Sequence, residues 1–307
     1  MKKILIFLLT ALCVIALCAC NFSGLGSIDP DNSGSNGNDD SGKSGAVTEY
    51  KRAGTYEVGK DIEAAEYLLI CTGSISGYLE VTLTKNASIG SADFLYNEAF
   101  SGRRYVIVHS GEFLKFSSSK LYKLDATPEL KKESDKGYPV GQYKVGRDIA
   151  AAEYLIVDPS ENSFNYVEQL TSPNASPLSS EFLFNETFTY RHYVKTTNGQ
   201  YISFSHGKLY EVAEAPEVIK LPSNQTDGLY KPGQYKVGTD LSAGNHGFYV
   251  PEGSYVYYEI TTLPLCSVMS DAFLKNGNLT KATMVALTDG QYIFFTSGML
   301  ILNPQVE

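Results

Sequence analysis

The sequence predicts an all-β protein in which three tandem small antiparallel β-sandwich or barrel modules follow a signal peptide and a disordered tether. Two observations carry this prediction. One pattern of residues occurs three times along the chain, and within each copy apolar and polar residues alternate with period two, which is typical of half-buried strands. The net charge of −9 argues against nucleic-acid partners and against electrostatic docking on anionic lipid.

The N-terminus carries the marks of export. Lys2 and Lys3 precede an apolar run over residues 4–19, which is shorter than the ~18–20 residues of a comfortable membrane span. A basic start followed by a short apolar run is typical of a secretory signal. The run ends at Leu17-Cys18-Ala19-Cys20, which resembles the lipobox of bacterial lipoproteins.

The lipobox resemblance implies a specific processing route. Residues 1–19 are the signal peptide, with Leu17, Cys18 and Ala19 as its recognition positions, and Cys20 is the lipid attachment site, carrying acyl chains such as palmitate. It places the protein on the outer face of the plasma membrane, lipid-anchored, in a Gram-positive bacterium. Two alternatives remain open: cleavage after Ala19 without lipidation, and an uncleaved anchor.

The segment after the lipobox is predicted to be a tether. Residues 20–52 hold the lipidated cysteine and then mainly Gly, Ser, Asn and Asp. Such a segment cannot bury enough apolar surface to offset the entropy of ordering, so we expect it to be disordered.

An internal repeat organises the rest of the chain. It opens with GTYEVGKDI at 54–62, GQYKVGRDI at 141–149 and GQYKVGTDL at 233–241. A second pattern follows in register: GEFLKF at 111–116, GQYISF at 199–204 and GQYIFF at 290–295. A period near 90 residues exceeds that of solenoid repeats, about 20–50 residues, so it predicts separate domains. We predict β modules at 53–125, 139–212 and 231–307, with linkers at 126–138 and 213–230.

Turn dipeptides punctuate each module. Ser110-Gly111, Asn198-Gly199 and Asp289-Gly290 predict tight hairpin reversals, the last two being favoured dipeptides. Cys71 and Cys266 stand in different modules at non-equivalent positions, so they are predicted to be isolated small apolar residues, and an inter-module disulfide is the alternative.

The extended pattern G-x-Y-x-V-G-x-D-I-x-A-x-x-Y resembles uncharacterised repeat modules of exported lipoproteins and wall-associated proteins of Gram-positive bacteria. The resemblance covers residues 54–302. It implies an architecture and carries no activity with it.

Repetition selects polar positions that all three modules share. They are the aspartates Asp61, Asp148 and Asp240, the glutamates Glu80, Glu168 and Glu259, and the asparagines Asn97, Asn185 and Asn276. We expect the aspartates to cap a turn, the asparagines to occupy turns and the glutamates to lie on a solvent-facing side of a strand. The alternative is that Asp and Glu form a carboxylate pair for acid–base chemistry or for a cation.

Tyrosines on predicted strands are the candidates for binding. Tyr78, Tyr166 and Tyr257 could stack on sugars or contact a protein, since Tyr suits surfaces that are half apolar and half wet. The alternative is that such rings are core.

The lipid anchor, the tether, the tandem domains and the missing catalytic motifs predict a non-enzymatic binding module for wall polymer or an extracellular protein. The alternatives are a structural spacer or envelope component without a specific ligand and an unrecognised hydrolase. Ser117-x-x-Lys120 and Ser205-x-x-Lys208 match the S-x-x-K nucleophile motif, but its partner motifs are missing and we expect turns there. No cofactor and no metal site is expected.

Overall fold

The computed structural model describes residues 49–160, 164–217, 220–221, 229–266 and 268–302. The predicted signal peptide, Cys20 and nearly all of the predicted tether lie outside these residues. Among the described residues, no helix has the length and apolar character needed to cross a membrane.

The predicted all-β class is confirmed. In the described ranges the regular structure consists of antiparallel strands, together with one-turn 3₁₀ helices at Leu124–Ala126 and Val212–Glu214. Each module contains one four-stranded sheet and a second sheet that faces it. Sandwiches are therefore formed, and none of the described sheets closes into a barrel.

Module 1 has seven strands. They are β1 Gly54–Glu57, β2 Ala65–Cys71, β3 Gly77–Thr82, β4 Phe94–Phe100, β5 Arg103–Val108, β6 Phe113–Ser117 and β7 Ser119–Lys123. The four-stranded sheet has the order β1-β6-β3-β4, and the three-stranded sheet has the order β5-β2-β7.

Module 2 repeats this topology. Its strands are β8 Gly141–Lys144, β9 Glu153–Val157, β10 Asn165–Leu170, β11 Phe182–Phe188, β12 Arg191–Lys195, β13 Tyr201–Phe204 and β14 Lys208–Glu211. The sheets have the orders β8-β13-β10-β11 and β12-β9-β14.

Module 3 adds two short strands to the second sheet. Its strands are β15 Lys220–Leu221, β16 Leu229–Tyr230, β17 Gly233–Lys236, β18 Gly244–Tyr249, β19 Val256–Thr261, β20 Phe273–Leu279, β21 Thr283–Leu287, β22 Tyr292–Phe295 and β23 Met299–Leu302. The sheets have the orders β17-β22-β19-β20 and β15-β16-β23-β18-β21.

The core of each module lies between its two sheets. In module 1, Tyr67 and Leu69 on β2 pack against Leu79 and Val81 on β3, and all four side chains are buried. These residues are two apart on each strand, as the pleat requires for side chains on one face. Leu68 points the other way and is also buried, so the three-stranded sheet is covered on both faces.

The predicted turns are present, but their strands do not form hairpins. The amide of Glu112 donates to the His109 carbonyl across Ser110-Gly111, and Gly111 has φ = 88°. A positive φ at the third turn position favours glycine. The flanking strands β5 and β6 belong to different sheets. The hairpin prediction was wrong because β6 pairs with β1 and β3, and the turn carries the chain from one sheet to the other.

The first predicted linker lies against module 2. Lys132 Nζ is 2.9 Å from Glu211 and 2.6 Å from Glu214, and the Tyr210 hydroxyl donates to Asp135. Leu130 packs on the module 2 core. The segment therefore packs on module 2.

Candidate functional site: the junctions between modules

The three shared aspartates cap the first turn of each module. Oδ2 of Asp61, Asp148 and Asp240 accepts a hydrogen bond from the backbone amide four residues earlier, at 2.9, 2.9 and 2.8 Å. The predicted turn role is therefore confirmed. Asp61 is exposed, whereas the side chains of Asp148 and Asp240 are only 3% and 8% exposed. The difference comes from the preceding module.

The first junction has an apolar centre. Leu68 and Tyr105 of module 1 form a buried cluster with Leu170, Ala175 and Tyr201 of module 2. The outer face of the three-stranded sheet in module 1 thus packs on the outer face of the four-stranded sheet in module 2. Burying these outward apolar side chains supplies the hydrophobic part of the docking free energy.

A buried bridge lies beside this cluster. Arg103 of module 1 lies 3.0 Å from Asp148 Oδ2, and the Tyr105 hydroxyl donates to the same oxygen at 2.6 Å. The Arg103 guanidinium also stands over the Tyr143 ring, 5.0 Å from its centroid. The Asp148 carboxylate therefore caps a turn in its own module and forms an ion pair with Arg103 of the preceding module.

The second junction reproduces the bridge. Arg191 of module 2 lies 2.9 Å from Asp240, the Tyr193 hydroxyl donates to Asp240 at 2.8 Å, and Arg191 stands 4.9 Å from the Tyr235 ring centroid. The guanidinium lies against Oδ2 of Asp148 at the first junction and Oδ1 of Asp240 at the second, but equivalent Arg, Tyr and Asp residues meet at both, which indicates one docking mode used twice.

Two further contacts recur at both junctions. The amide of Tyr105 donates to Gln142 Oε1, and that of Tyr193 donates to Gln234 Oε1, each at 3.0 Å. A glutamate of the earlier module also accepts from a lysine and a tyrosine of the later one. These triads are Glu66 with Lys144 and Tyr201, and Glu153 with Lys236 and Tyr292.

The candidate tyrosines lie beside the shared glutamates. The hydroxyls of Tyr78, Tyr166 and Tyr257 donate to Glu80, Glu168 and Glu259, each two residues further along the strand. Burial, followed by the bond to Glu80, raises the pKa of Tyr78 to about 12. These hydroxyls are therefore hydrogen-bond donors near neutral pH and not ionised groups.

The shared asparagines complete these clusters, and the turn prediction for them was wrong. Asn97, Asn185 and Asn276 lie in the middle of β4, β11 and β20, directly opposite the three glutamates. Asn276 Nδ2 also donates to the Tyr257 hydroxyl at 3.1 Å. Cross-strand pairing outweighs the turn preference of Asn because the amide gains partners on the neighbouring strand.

Only one of the three Tyr–Glu–Asn clusters has no described module in front of it. Glu168 accepts from Arg104 of module 1 at 2.9 Å, so the module 2 cluster belongs to a junction. Glu259 lines the cavity at the second junction. In module 1, Glu80 pairs with the exposed Lys115 of its own sheet at 3.0 Å. The side chains of Glu80 and Glu168 are each only 13% exposed, so the predicted solvent-facing position is not confirmed for either.

One position differs between the junctions. Arg104 is 2% exposed and donates to Glu168, the Tyr96 hydroxyl and the Pro173 carbonyl. The equivalent residue of module 2 is His192, which is 1% exposed and lies between Phe188, in a tilted contact, and Phe294, in an edge-on contact, with ring centroids 5.1 and 5.6 Å away. Burial lowers the pKa of His192 to about 4, so its imidazole is neutral at pH 7.

The docking residues are absent from the faces of modules 1 and 3 that do not take part in a junction. At the positions of Arg191, Tyr193 and Glu153, module 3 has Ala282, Met284 and Asn245. At the positions of Gln142, Lys144 and Tyr201, module 1 has Thr55, Glu57 and Phe113.

No protein-family model matches the chain, and no relative is found among curated proteins. The structure itself therefore carries the functional argument.

The remaining candidates are the S-x-x-K matches and the two cysteines. Ser117 ends β6, Ser118 turns the chain with φ = 52°, and Lys120 lies in β7, so this S-x-x-K match spans a turn as predicted. Cys71 and Cys266 are both free thiols. Within the described part of the chain, no group of three or more His, Cys, Asp or Glu side chains could hold a metal ion.

The docking residues were missed because we selected positions shared by all three modules. The residues with which a module contacts the following module, such as Arg103 and Tyr105, recur in module 2 but not in module 3. The residues with which a module contacts the preceding module, such as Gln142 and Lys144, recur in module 3 but not in module 1. Positions shared by two consecutive modules were the signal that could have found them.

Proposed function

We propose that this chain is a membrane-anchored extracytoplasmic lipoprotein whose three docked β-sandwiches act as a non-enzymatic structural spacer. The observation that carries the proposal is the Arg–Tyr–Asp bridge, which equivalent residues form at both junctions. Repeated polar residues that a multivalent binder would expose are used here to join one module to the next.

The spacer proposal requires that the modules keep a fixed arrangement. Buried ion pairs with additional hydrogen bonds fix geometry, because any other arrangement leaves a charge without its partner in a dry interface. Apolar packing alone is less directional. Both kinds of contact are present at the first junction, where the Arg103–Asp148 pair borders the cluster around Leu68.

The test is a distance measurement across the three modules. Nitroxide labels on Ser110→Cys and Asp271→Cys, both exposed positions, are measured by pulsed electron resonance after Cys71 and Cys266 are replaced by Ser. We expect one narrow distance distribution, broadened by Asp148→Ala and by Asp240→Ala. Asp61→Ala is the matched control, because it removes the same turn cap without a junction. A broad distribution in the parent protein contradicts the spacer.

Anchoring is tested separately. We expect the chain to incorporate labelled fatty acid and to sediment with membranes, and Cys20→Ser to abolish both. Incorporation that persists in Cys20→Ser would contradict the assignment of the lipid site.

A second candidate function, binding of wall polymer or an extracellular protein, is favoured by the cluster of Tyr78, Glu80 and Lys115 in module 1. This is the copy that no described module covers. We expect Tyr78→Ala to reduce retention on peptidoglycan or teichoic acid, with Tyr166→Ala and Tyr257→Ala as comparisons. If the folded chain is retained on neither polymer, the binding function is contradicted and the spacer function remains.

A further inference from the structure

The second junction brings two glutamates together without a cation between them. Glu186 of module 2 and Glu259 of module 3 both line a cavity of about 20 Å³, and Glu259 is close enough to raise the pKa of Glu186 by charge repulsion. A cavity of this size has room for about one water molecule. His192 also lines it.

At the first junction a guanidinium lies beside the two equivalent carboxylates and balances their charge. Glu98 and Glu168 are the equivalent glutamates, and the Arg104 guanidinium lies 3.7 Å from Glu98 and 2.9 Å from Glu168. His192 replaces this guanidinium; its Nδ1 lies 2.7 Å from the backbone carbonyl oxygen of Tyr193, and the neutral imidazole supplies no charge to balance the carboxylates.

We propose that Glu186 and Glu259 hold one proton between them, so that closure of the second junction depends on pH. At the first junction the Arg104 guanidinium balances the equivalent carboxylates instead. Two carboxylates in a confined, partly dry site cannot both ionise without strong repulsion. A shared proton removes that repulsion, directly or across one water molecule.

The groups that face this pair contribute no positive charge. Tyr257 donates its hydroxyl to Glu259, and the backbone amide of Thr187 donates to Glu186 at 3.1 Å. Burial and the nearby Glu259 raise the pKa of the Cys266 thiol to about 11, so it is neutral. Among the described residues that line the cavity there is no lysine or arginine.

The direction of the pH effect follows from proton binding. Burial, then repulsion from Glu259, raises the pKa of Glu186 to about 8, so the closed junction binds a proton that the open one releases. Closure therefore weakens as the pH rises from about 4.5 to about 8. His192, with a lowered pKa, acts in the opposite sense between about 4 and 6.5. The net weakening appears between about pH 6.5 and 8.

The experiment is a carboxyl ¹³C NMR titration of the mature protein labelled at glutamate. We expect one glutamate signal to titrate near pH 8 and to disappear from that range in Glu186→Gln. His192→Arg supplies the missing guanidinium, and in this variant we expect the Glu186 signal to titrate below pH 6.5. Burial also raises the pKa of Glu98, so a glutamate signal that still titrates above pH 6.5 is assigned to Glu98 if Glu98→Gln removes it.

Hydrogen exchange of β12 and β17 gives a second readout. After correction for the intrinsic rate, protection should fall about tenfold per pH unit between pH 6.5 and 8, the slope of one released proton. Glu186→Gln should be flat, and the exposed Glu181→Gln should behave like the parent. Two carboxyls that titrate below pH 6, or protection that does not change with pH in the parent, overturns the proposal.

Discussion

Arg104 of module 1 and Glu168 of module 2 form an ion pair with an Nη1–Oε1 distance of 2.9 Å, and the Arg104 side chain is only 3% exposed. The pair is part of a set that also includes Tyr96 and the Pro173 carbonyl. The guanidinium therefore has partners in both modules, which makes it a link between two domains.

The buried bridge at Asp148 should dominate the stability of the first junction. Asp148→Ala leaves Arg103 without its carboxylate at a position only 7% exposed. Removing one partner of a buried pair costs about 3–5 kcal/mol, and we expect a loss of that order in urea unfolding. Asp61→Ala, which removes only an exposed turn bond, should cost about 1 kcal/mol. Equal losses would show that the bridge adds nothing to the turn.

The turn glycines should be required for their backbone conformation. Gly199 has φ = 87°, and an added Cβ would meet nothing within 4 Å, so only the conformation opposes a side chain. We expect Gly199→Ala to cost about 1–2 kcal/mol in thermal unfolding. Gly54→Ala is the control, since its Cβ would make an ordinary contact 3.5 Å from the Tyr56 ring. A neutral Gly199→Ala would be inconsistent with this turn geometry.

His192 should make the protein sensitive to acid. Its pKa is lowered to about 4 by burial, whereas the unfolded chain has a value near 6.5, so unfolding takes up a proton between these values. Stability from this group is full above pH 6.5 and falls by up to about 1.4 kcal/mol per unit as the pH drops towards 4. In a Glu186→Gln background, which removes the opposing titration of that glutamate, His192→Phe should remove this dependence, measured as unfolding midpoints from pH 4 to 7. The exposed His109→Phe should leave it unchanged.

The altered end faces should prevent end-to-end association of separate chains. We expect the parent protein to sediment as a monomer. A variant carrying Asn245→Glu, Ala282→Arg and Met284→Tyr with Thr55→Gln, Glu57→Lys and Phe113→Tyr should form head-to-tail oligomers, because it restores the residues found at the internal junctions. Either half of the set alone should remain monomeric. If the complete set leaves the chain monomeric, these residues are insufficient for docking.

Besides the positions shared by two consecutive modules, the sequence contained one more indication of the junctions. In β2 and β9, residues 67–70 and 154–157 are consecutive apolar residues, as expected of strands covered on both faces. The equivalent part of β18 reads His-Gly-Phe-Tyr, and Tyr249 there is 47% exposed. The loss of the apolar run coincides with the uncovered outer face of module 3.

The all-β class, the threefold repeat, the positions of the glycine turns and the capping role of the aspartates follow from the amino-acid sequence alone. These features depend on neighbouring residues and on period-two burial, which are local. That the glycine turns join different sheets, that Asn97 lies in a strand and that Asp148 pairs with Arg103 became visible only in the folded chain. Such contacts join residues distant in sequence, and alternation shows which side chains share a face but not which surface covers that face.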